Sequence, residues 1–100
     1  MSKLLNNSRE IIARLTSRSV SPLSIWFALE MQVKLDSNRR KSGWDLMQPD
    51  EILTRIKDEV KELEDAIESG VKIDMVQEAV DVANFCSFLA HNMQYEIDNP

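Results

Sequence analysis

Apolar residues recur at helical spacing along most of the chain and predict four helices. The first is an amphipathic segment from about Lys3 to Arg18. The second begins at Ser21-Pro22, where a serine cap precedes a proline at the first helical position, and continues to about Arg40. Because apolar side chains surround most of its circumference, we expect the second helix to be buried on more than one side. These residues are Leu23, Ile25, Trp26, Phe27, Leu29, Met31, Val33 and Leu35.

The third helix is predicted from Pro49 to about Ser69, after a break in the pattern from Lys41 to Gln48. Gly70 is placed to end it. Apolar residues at steps of three and four predict the side that faces the core. These residues are Leu53, Ile56, Val60, Leu63 and Ile67, and two acids, Glu59 and Glu62, fall on the flank of that side.

The fourth helix is predicted from Asp74 to about Tyr95, because Asp74 with Gln77 three residues later matches the reciprocal capping pattern. The chain contains 2 Gly and 3 Pro, which leaves little material for the tight turns of an all-β fold. We therefore predict an all-α class. Residues 1–100 form one domain, in which residues 1–20 are an N-terminal helical extension and residues 21–95 are the core helices.

The size of the chain predicts an assembly. One hundred residues with 43% hydrophobic content make a modest core that a second copy would complete. Apolar residues on several faces of the second and fourth helices also exceed what one small bundle can cover. We expect a four-helix bundle completed by oligomerisation, as a homodimer or a dimer-of-dimers tetramer.

Charge and cysteine content narrow the partners. A formal net charge of −5 argues against a nucleic-acid-binding module that works by broad phosphate neutralisation. The N-terminus lacks the continuous apolar run of a signal peptide, and no stretch approaches membrane-spanning length. The single Cys86 has no partner within the chain for a disulfide. We expect a cytoplasmic protein with no membrane or nucleic-acid partner.

Two acid pairs share the same three-residue step, Glu59 with Glu62 and Glu78 with Asp81. That step places both members of a pair on one helix face, so adjacent helices can aim four carboxylates at one point. The second pair supplies the only charges between Met75 and Ala90, and a charge in so apolar a helix must be paired, protonated or coordinated. Oxygen-rich clusters suit magnesium, manganese or calcium.

Two other interpretations of these acids stay open. Acids at helical spacing in a charged run are usually solvated, which applies to Glu59 and Glu62 taken alone. A local salt bridge from Arg55 or Lys34 would account for Glu78 and Asp81 without a metal.

At these residues the chain resembles the MazG-like nucleoside triphosphate pyrophosphohydrolases of the all-α NTP pyrophosphatase superfamily. The likeness rests on Glu59-Val-Lys-Glu62, fifteen intervening residues and Glu78-Ala-Val-Asp81. It extends to Met31–Trp44, to the helix start at Pro49 and to Asp81-Val-Ala-Asn84-Phe, and it covers roughly Ser21 to Met93. The first twenty residues carry no matching motif.

The resemblance implies hydrolysis of the bond between the α- and β-phosphates of a nucleoside triphosphate. The products would be a nucleoside monophosphate and pyrophosphate. It implies a magnesium cofactor, with manganese as a substitute. The four motif acids would be both metal ligands and catalytic residues, one of them orienting or deprotonating water: Glu59, Glu62, Glu78 and Asp81. The expected substrate is a deoxynucleoside triphosphate, and the expected role is house-cleaning of nucleotide pools.

Five residues are candidates for holding such a substrate. Lys34, Asn38 and Lys41 share a face at the end of the second helix and suit phosphate oxygens, although a solvated helix end explains them equally well. Asn84 lies one turn beyond Asp81, where it would contact substrate or satisfy a nearby backbone group. Trp44 would stack on a nucleobase or act as a hydrophobic plug.

Two rival functions remain. One is a pyrophosphohydrolase of the same fold for another substrate such as phosphoribosyl-ATP, which the lack of an obvious extra basic patch disfavours. The other is a non-enzymatic helical interaction protein.

Overall fold

A computed structural model describes residue 14, residues 19–37 and residues 43–100. These residues form helix α1 (Pro22–Ser37), a short 3-10 helix (Trp44–Leu46), helix α2 (Pro49–Ser69) and helix α3 (Lys72–Asp98). The described part of the chain contains no strand, which confirms the all-α class. Most of the predicted helix from Lys3 to Arg18 lies outside the described residues. None of the described helices is both long and apolar enough to span a bilayer.

Three predicted helix ends are confirmed, whereas the predicted end of the second helix near Arg40 lies outside the described residues. The backbone N–H of Ser24 donates to Ser21 Oγ at 3.2 Å, so Ser21 caps α1. At the start of α2, the backbone N–H of Gln48 donates to the Glu51 carboxylate at 3.2 Å. Gly70 ends α2 with φ 74°, and its N–H donates to the carbonyl of Ala66 at 3.1 Å. Glycine suits that left-handed conformation because it has no Cβ to clash.

The predicted cap of the last helix is wrong. Helix α3 begins at Lys72, and the residue before it, Val71, makes no side-chain capping bond. Asp74 lies inside the first turn, where its negative charge suits the positive end of the helix dipole. The left-handed Gly70 turns the chain so sharply that one further residue is enough before α3 starts. The helix also ends at Asp98, beyond the predicted Tyr95.

Helices α2 and α3 pack along each other as a hairpin, and α1 packs on α3. The face of α2 that packs is rotated from the predicted one, although Ile56 and Leu63 belong to both. Ile52 and Ala66 are buried, whereas Leu53 and Ile67 are 47% and 57% exposed. The inward line follows steps of four and three through Ile52, Ile56, Glu59, Leu63 and Ala66. Glu59 therefore lies on the packed face of α2 rather than on its flank.

Helix α1 is less buried than its composition predicts. No residue of α1 is fully buried, so the expected burial on several sides is wrong for the single chain. The helix rests mainly on α3 and leaves the rest of its circumference open. The large apolar side chains that stay exposed on it are Leu23, Ile25, Trp26, Leu29 and Val33.

One polar contact fixes α1 against α3. The Asn84 side-chain amide donates from Nδ2 to the carbonyl oxygen of Met31 at 3.3 Å. These residues are 53 positions apart in the chain, so the bond sets the register between the two helices. A buried polar group generally needs such a partner, which makes the bond specific as well as favourable.

Candidate functional site

Three of the four predicted acids meet where α2 packs on α3. Glu59, Glu78 and Asp81 each offer a carboxylate oxygen, and these oxygens lie within 4.8 Å of one another. Glu59 lies on the packed line of α2, and Glu78 and Asp81 flank the buried Val80 on α3. All three side chains are half-buried. The spacing argument thus predicted their convergence, and we call them the carboxylate trio.

Glu62 stands beside the trio rather than within it. Its side chain is exposed and lines a cavity next to the trio, but its carboxylate oxygens are not part of the group of mutually close oxygens. Its carboxyl group is close enough to help raise the pKa of both Glu59 and Glu78. The structure therefore places the fourth predicted ligand at the edge of the cluster.

The crowding of these acids shifts their protonation. Burial raises the pKa of Glu59 to about 7, together with a hydrogen bond to Glu62 and the charges of Glu62, Asp81 and Glu78. Burial, the hydrogen bond to Glu62 and the neighbouring acids also raise the pKa of Glu78, against the opposing charge of Lys34. The carboxylates repel one another more strongly than the nearby ammonium compensates.

Lys34 is the cation that the structure places at the trio. Its Nζ atom lies 3.5 Å from Asp81 Oδ2. The salt-bridge interpretation is therefore realised for Asp81 but not for Glu78. Within the described residues, Glu59 Oε2 and Glu78 Oε2 are buried and have no hydrogen-bond partner. Buried acceptors without a donor are uncommon in folded proteins and require an explanation.

A hard divalent cation fits these residues. The donors are all carboxylate oxygens from half-buried side chains, which is the set that magnesium, manganese and calcium prefer. Such a cation would satisfy the two orphaned oxygens and offset the repulsion that raises the pKa of Glu59. The residues that would hold it are Glu59, Glu78 and Asp81, with Glu62 adjacent.

Glu59 and Asp81 of the trio line a cavity of about 750 Å³. Its lining combines acids, two basic side chains and apolar residues. The residues that line the cavity are Lys34, Gly43, Trp44, Met47, Arg55, Glu59, Glu62, Asp81, Asn84, Phe85 and Phe88. A cavity of this size is large enough for a small organic ligand.

Trp44 is held by packing within the chain. Its ring stacks on Phe88 with centroids 4.5 Å apart and an interplanar angle of 10°, and it meets the His91 ring edge-on at 5.0 Å. Asn92, which is buried, donates from Nδ2 to the Trp44 carbonyl at 3.0 Å. Phe88 thus occupies one face of the indole. These contacts agree with the plug interpretation of Trp44, and base stacking stays a prediction.

Asn84 makes the backbone contact that was one of its two interpretations. It is 5% exposed, and its Nδ2 is engaged by Met31. Its Oδ1 is buried and has no partner among the described residues. Asn84 also lines the cavity, with its Oδ1 acceptor unpartnered and a second hydrogen remaining on Nδ2. A contact between Asn84 and substrate stays a prediction.

Two predicted substrate residues, Asn38 and Lys41, lie outside the described residues. Two contributors were not predicted as site residues. Arg55 lines the cavity. Its position one turn before Glu59 on α2 could have indicated from the sequence that it lies at the site. Asn92 anchors the segment that carries Trp44, and it follows Asn84 and Phe88 at steps of four along α3.

The raised pKa of Glu59 predicts how the stability of the metal-free protein depends on pH. Folding raises the pKa from 4.5 to about 7, so the unfolded chain loses this proton first. The ionised carboxylate therefore becomes increasingly destabilising as pH rises through this window. After allowance for solvent screening of a half-buried group, we expect Glu59→Gln to stabilise by about 1 kcal/mol at pH 8, or roughly 4–8 °C in Tm.

This gain should shrink as pH falls toward 4.5. Thermal melts in a chelator from pH 4.5 to 8 measure it. Glu68→Gln, which removes an exposed acid from the same helix, serves as the matched control. A Tm difference between Glu59→Gln and wild type that is independent of pH would contradict the prediction.

Comparison with protein-family models, with curated proteins and with solved structures finds no match to this chain. The MazG-like resemblance therefore stays a prediction that rests on the motif residues.

Proposed function

We propose that the protein is a magnesium-dependent nucleoside triphosphate pyrophosphohydrolase. Its substrate would be a nucleoside triphosphate, preferably a deoxynucleoside triphosphate, which water would cleave to the corresponding monophosphate and pyrophosphate. The observation that carries the proposal is the carboxylate trio, with two buried oxygens that have no donor among the described residues. A cavity with basic and aromatic walls opens directly from it. The sequence resemblance supplies the reaction class.

A bound magnesium ion, or manganese in its place, would offset the acids, polarise a phosphorus centre and acidify a water molecule. Glu59, Glu78 and Asp81 would hold it, and Glu62 would complete the ligand set. Lys34 and Arg55, from opposite helices of the cavity, carry the positive charge that suits a phosphate tail. Phe85 and Phe88 form the apolar wall on which a nucleobase would rest.

We further propose that the chain assembles as a homodimer or a dimer-of-dimers tetramer. Exposed apolar residues lie on all three described helices, including Leu29 and Val33 on α1 and Leu53 and Ile67 on α2. Apolar surface on this scale usually marks an interaction face.

The assembly predicts the mass in solution. Light scattering on the purified protein should give twice or four times the chain mass of 11.5 kDa. Leu29→Glu, which places a charge among the exposed apolar side chains of α1, should lower that mass, because burying an unpaired charge in an interface is costly. Ser24→Glu, also exposed and on the same helix, is the control. A wild-type mass of 11.5 kDa would rule out the pairing.

The enzyme proposal predicts pyrophosphate release from at least one member of a panel of ribo- and deoxynucleoside triphosphates. Glu78→Gln should lower that activity about 100-fold or more, because even the outer partners of metal ligands typically contribute 10–100-fold. Activity should require magnesium or manganese. Chromatography that separates mono- from diphosphate products, coupled to pyrophosphate detection, identifies which bond is cleaved.

Glu68→Gln is again the control and should retain full activity, since that exposed acid does not line the cavity. Release of orthophosphate with a nucleoside diphosphate would contradict cleavage between the α- and β-phosphates. Hydrolysis of phosphoribosyl-ATP alone would transfer the proposal to the related pyrophosphohydrolase.

The Lys34–Asp81 pair is the observation that favours a non-enzymatic helical interaction protein, because it gives one acid a structural partner. Magnesium separates this alternative from the enzyme. A ligand that binds only the folded state stabilises by about 2.7 kcal/mol at a hundred times its Kd.

We therefore expect saturating magnesium to raise Tm by several degrees over a chelator, and Asp81→Asn to abolish the rise. Differential scanning calorimetry measures both. An unchanged Tm in wild type would favour the interaction protein.

A further inference from the structure

Lys34 lies on α1, which supplies no member of the carboxylate trio. Its ammonium nevertheless contacts Asp81 of the trio. The Lys34 side chain is 31% exposed, and Asp81, its partner at 3.5 Å, is 18% exposed. Asp81 takes no other ion pair among the described residues. The only basic residue in the last turn of α1 is therefore directed at a predicted metal ligand rather than at solvent.

The packing of α1 on α3 determines the position of Lys34. Met31, one turn earlier on α1, receives the hydrogen bond from Asn84, which lies one turn after Asp81 on α3. The same bond that sets the register of the helices therefore brings Lys34 opposite Asp81. The pair is a consequence of how α1 docks and not of a chance side-chain rotamer.

A lysine in this place and a divalent cation among the same carboxylates exclude each other. An ammonium and a divalent cation held by the same carboxylate would repel each other, because little solvent separates charges at such short range. Lysine is suited to moving away, because it carries a point charge on a flexible four-carbon stem. Its contact of 3.5 Å is also longer than a strong charge-assisted hydrogen bond.

The Lys34 ammonium can turn into the cavity when it leaves Asp81. Lys34 lines it together with Asn84, whose buried Oδ1 has no donor among the described residues. Arg55 also lines the cavity and would attract the phosphate tail of a substrate. An ammonium that leaves Asp81 thus remains within the walls that would hold a phosphate tail.

We propose that Lys34 is a placeholder cation. It neutralises Asp81 while the site lacks metal, yields that carboxylate when a divalent cation enters, and then binds the phosphate tail of the substrate. This inference rests on the proposed metal-dependent function and adds a coupling between its two ligands. Metal binding releases the side chain that recognises phosphate, so the anion is bound well only after the metal.

The inference predicts opposite effects of one substitution on two ligands. Lys34→Met should tighten binding of manganese alone about tenfold, because it removes a competing charge. It should also weaken binding of inorganic tripolyphosphate to the manganese-loaded protein about tenfold, because it removes a phosphate contact. Isothermal titration calorimetry measures both Kd values without any turnover. Lys34→Gln, which retains a polar side chain, should behave in the same direction.

Lys57→Met is the matched control. It removes the same charge from an exposed lysine that does not line the cavity, and both Kd values should stay within about twofold of wild type. Manganese binding that is unchanged or weaker in Lys34→Met and Lys34→Gln would overturn the placeholder role.

The outcomes also separate this inference from the enzyme proposal. If both Kd values shift as expected but no triphosphate is hydrolysed, the placeholder role stands and the enzyme proposal fails. If triphosphates are hydrolysed but Lys34→Met leaves manganese binding unchanged, the enzyme proposal stands and the placeholder role fails. A wild-type protein that binds no manganese would overturn both.

Discussion

The structure depends on the burial of a carboxylate between its two longest helices. Glu59 occupies a position on α2 that would otherwise take an apolar residue, in line with Ile52 and Ala66. Burial and the surrounding acids raise its pKa to about 7, so the packed interface carries an electrostatic penalty in the absence of a compensating charge. The helical hairpin is therefore less stable than its shape alone would allow. Such a cost is typical of a binding site and unusual in a purely structural interface.

Lys34 and the Asn84–Met31 bond show how the rest of the chain responds to that burial. Helix α1 contributes little to the core, since none of its residues is fully buried. Its main contributions are polar, one backbone acceptor and one ammonium. Helix α1 thus acts mainly on the charge and geometry of the site.

The three described helices could be predicted from the sequence, because each depends on local spacing. The convergence of Glu59, Glu78 and Asp81 could be predicted as well, because equal steps on two adjacent helices place the acids on facing sides. The packed face of α2 could not. The line through Leu53 is the more apolar of the two, yet contact with α3 buries the neighbouring line through Ile52 and Ala66. Placing Glu59 on a flank followed from that error. The position of Arg55 one turn before Glu59 indicated its place at the site. The apolar residues of α1 could be recognised from the sequence, but their exposure depends on tertiary packing.

The connection between α2 and α3 gives the site an unusual order of assembly. Only Gly70 and Val71 separate the helices, so the acids meet through contacts close in the chain, which form quickly during folding. The contacts that bring Lys34 into place span about half the chain, because Asn84 and Met31 are 53 residues apart. Loop closure over that distance is slower and entropically more costly. The acids can therefore converge before the Lys34 ammonium reaches Asp81, and at that stage Arg55 on α2 is the basic residue that the hairpin itself supplies to the cavity.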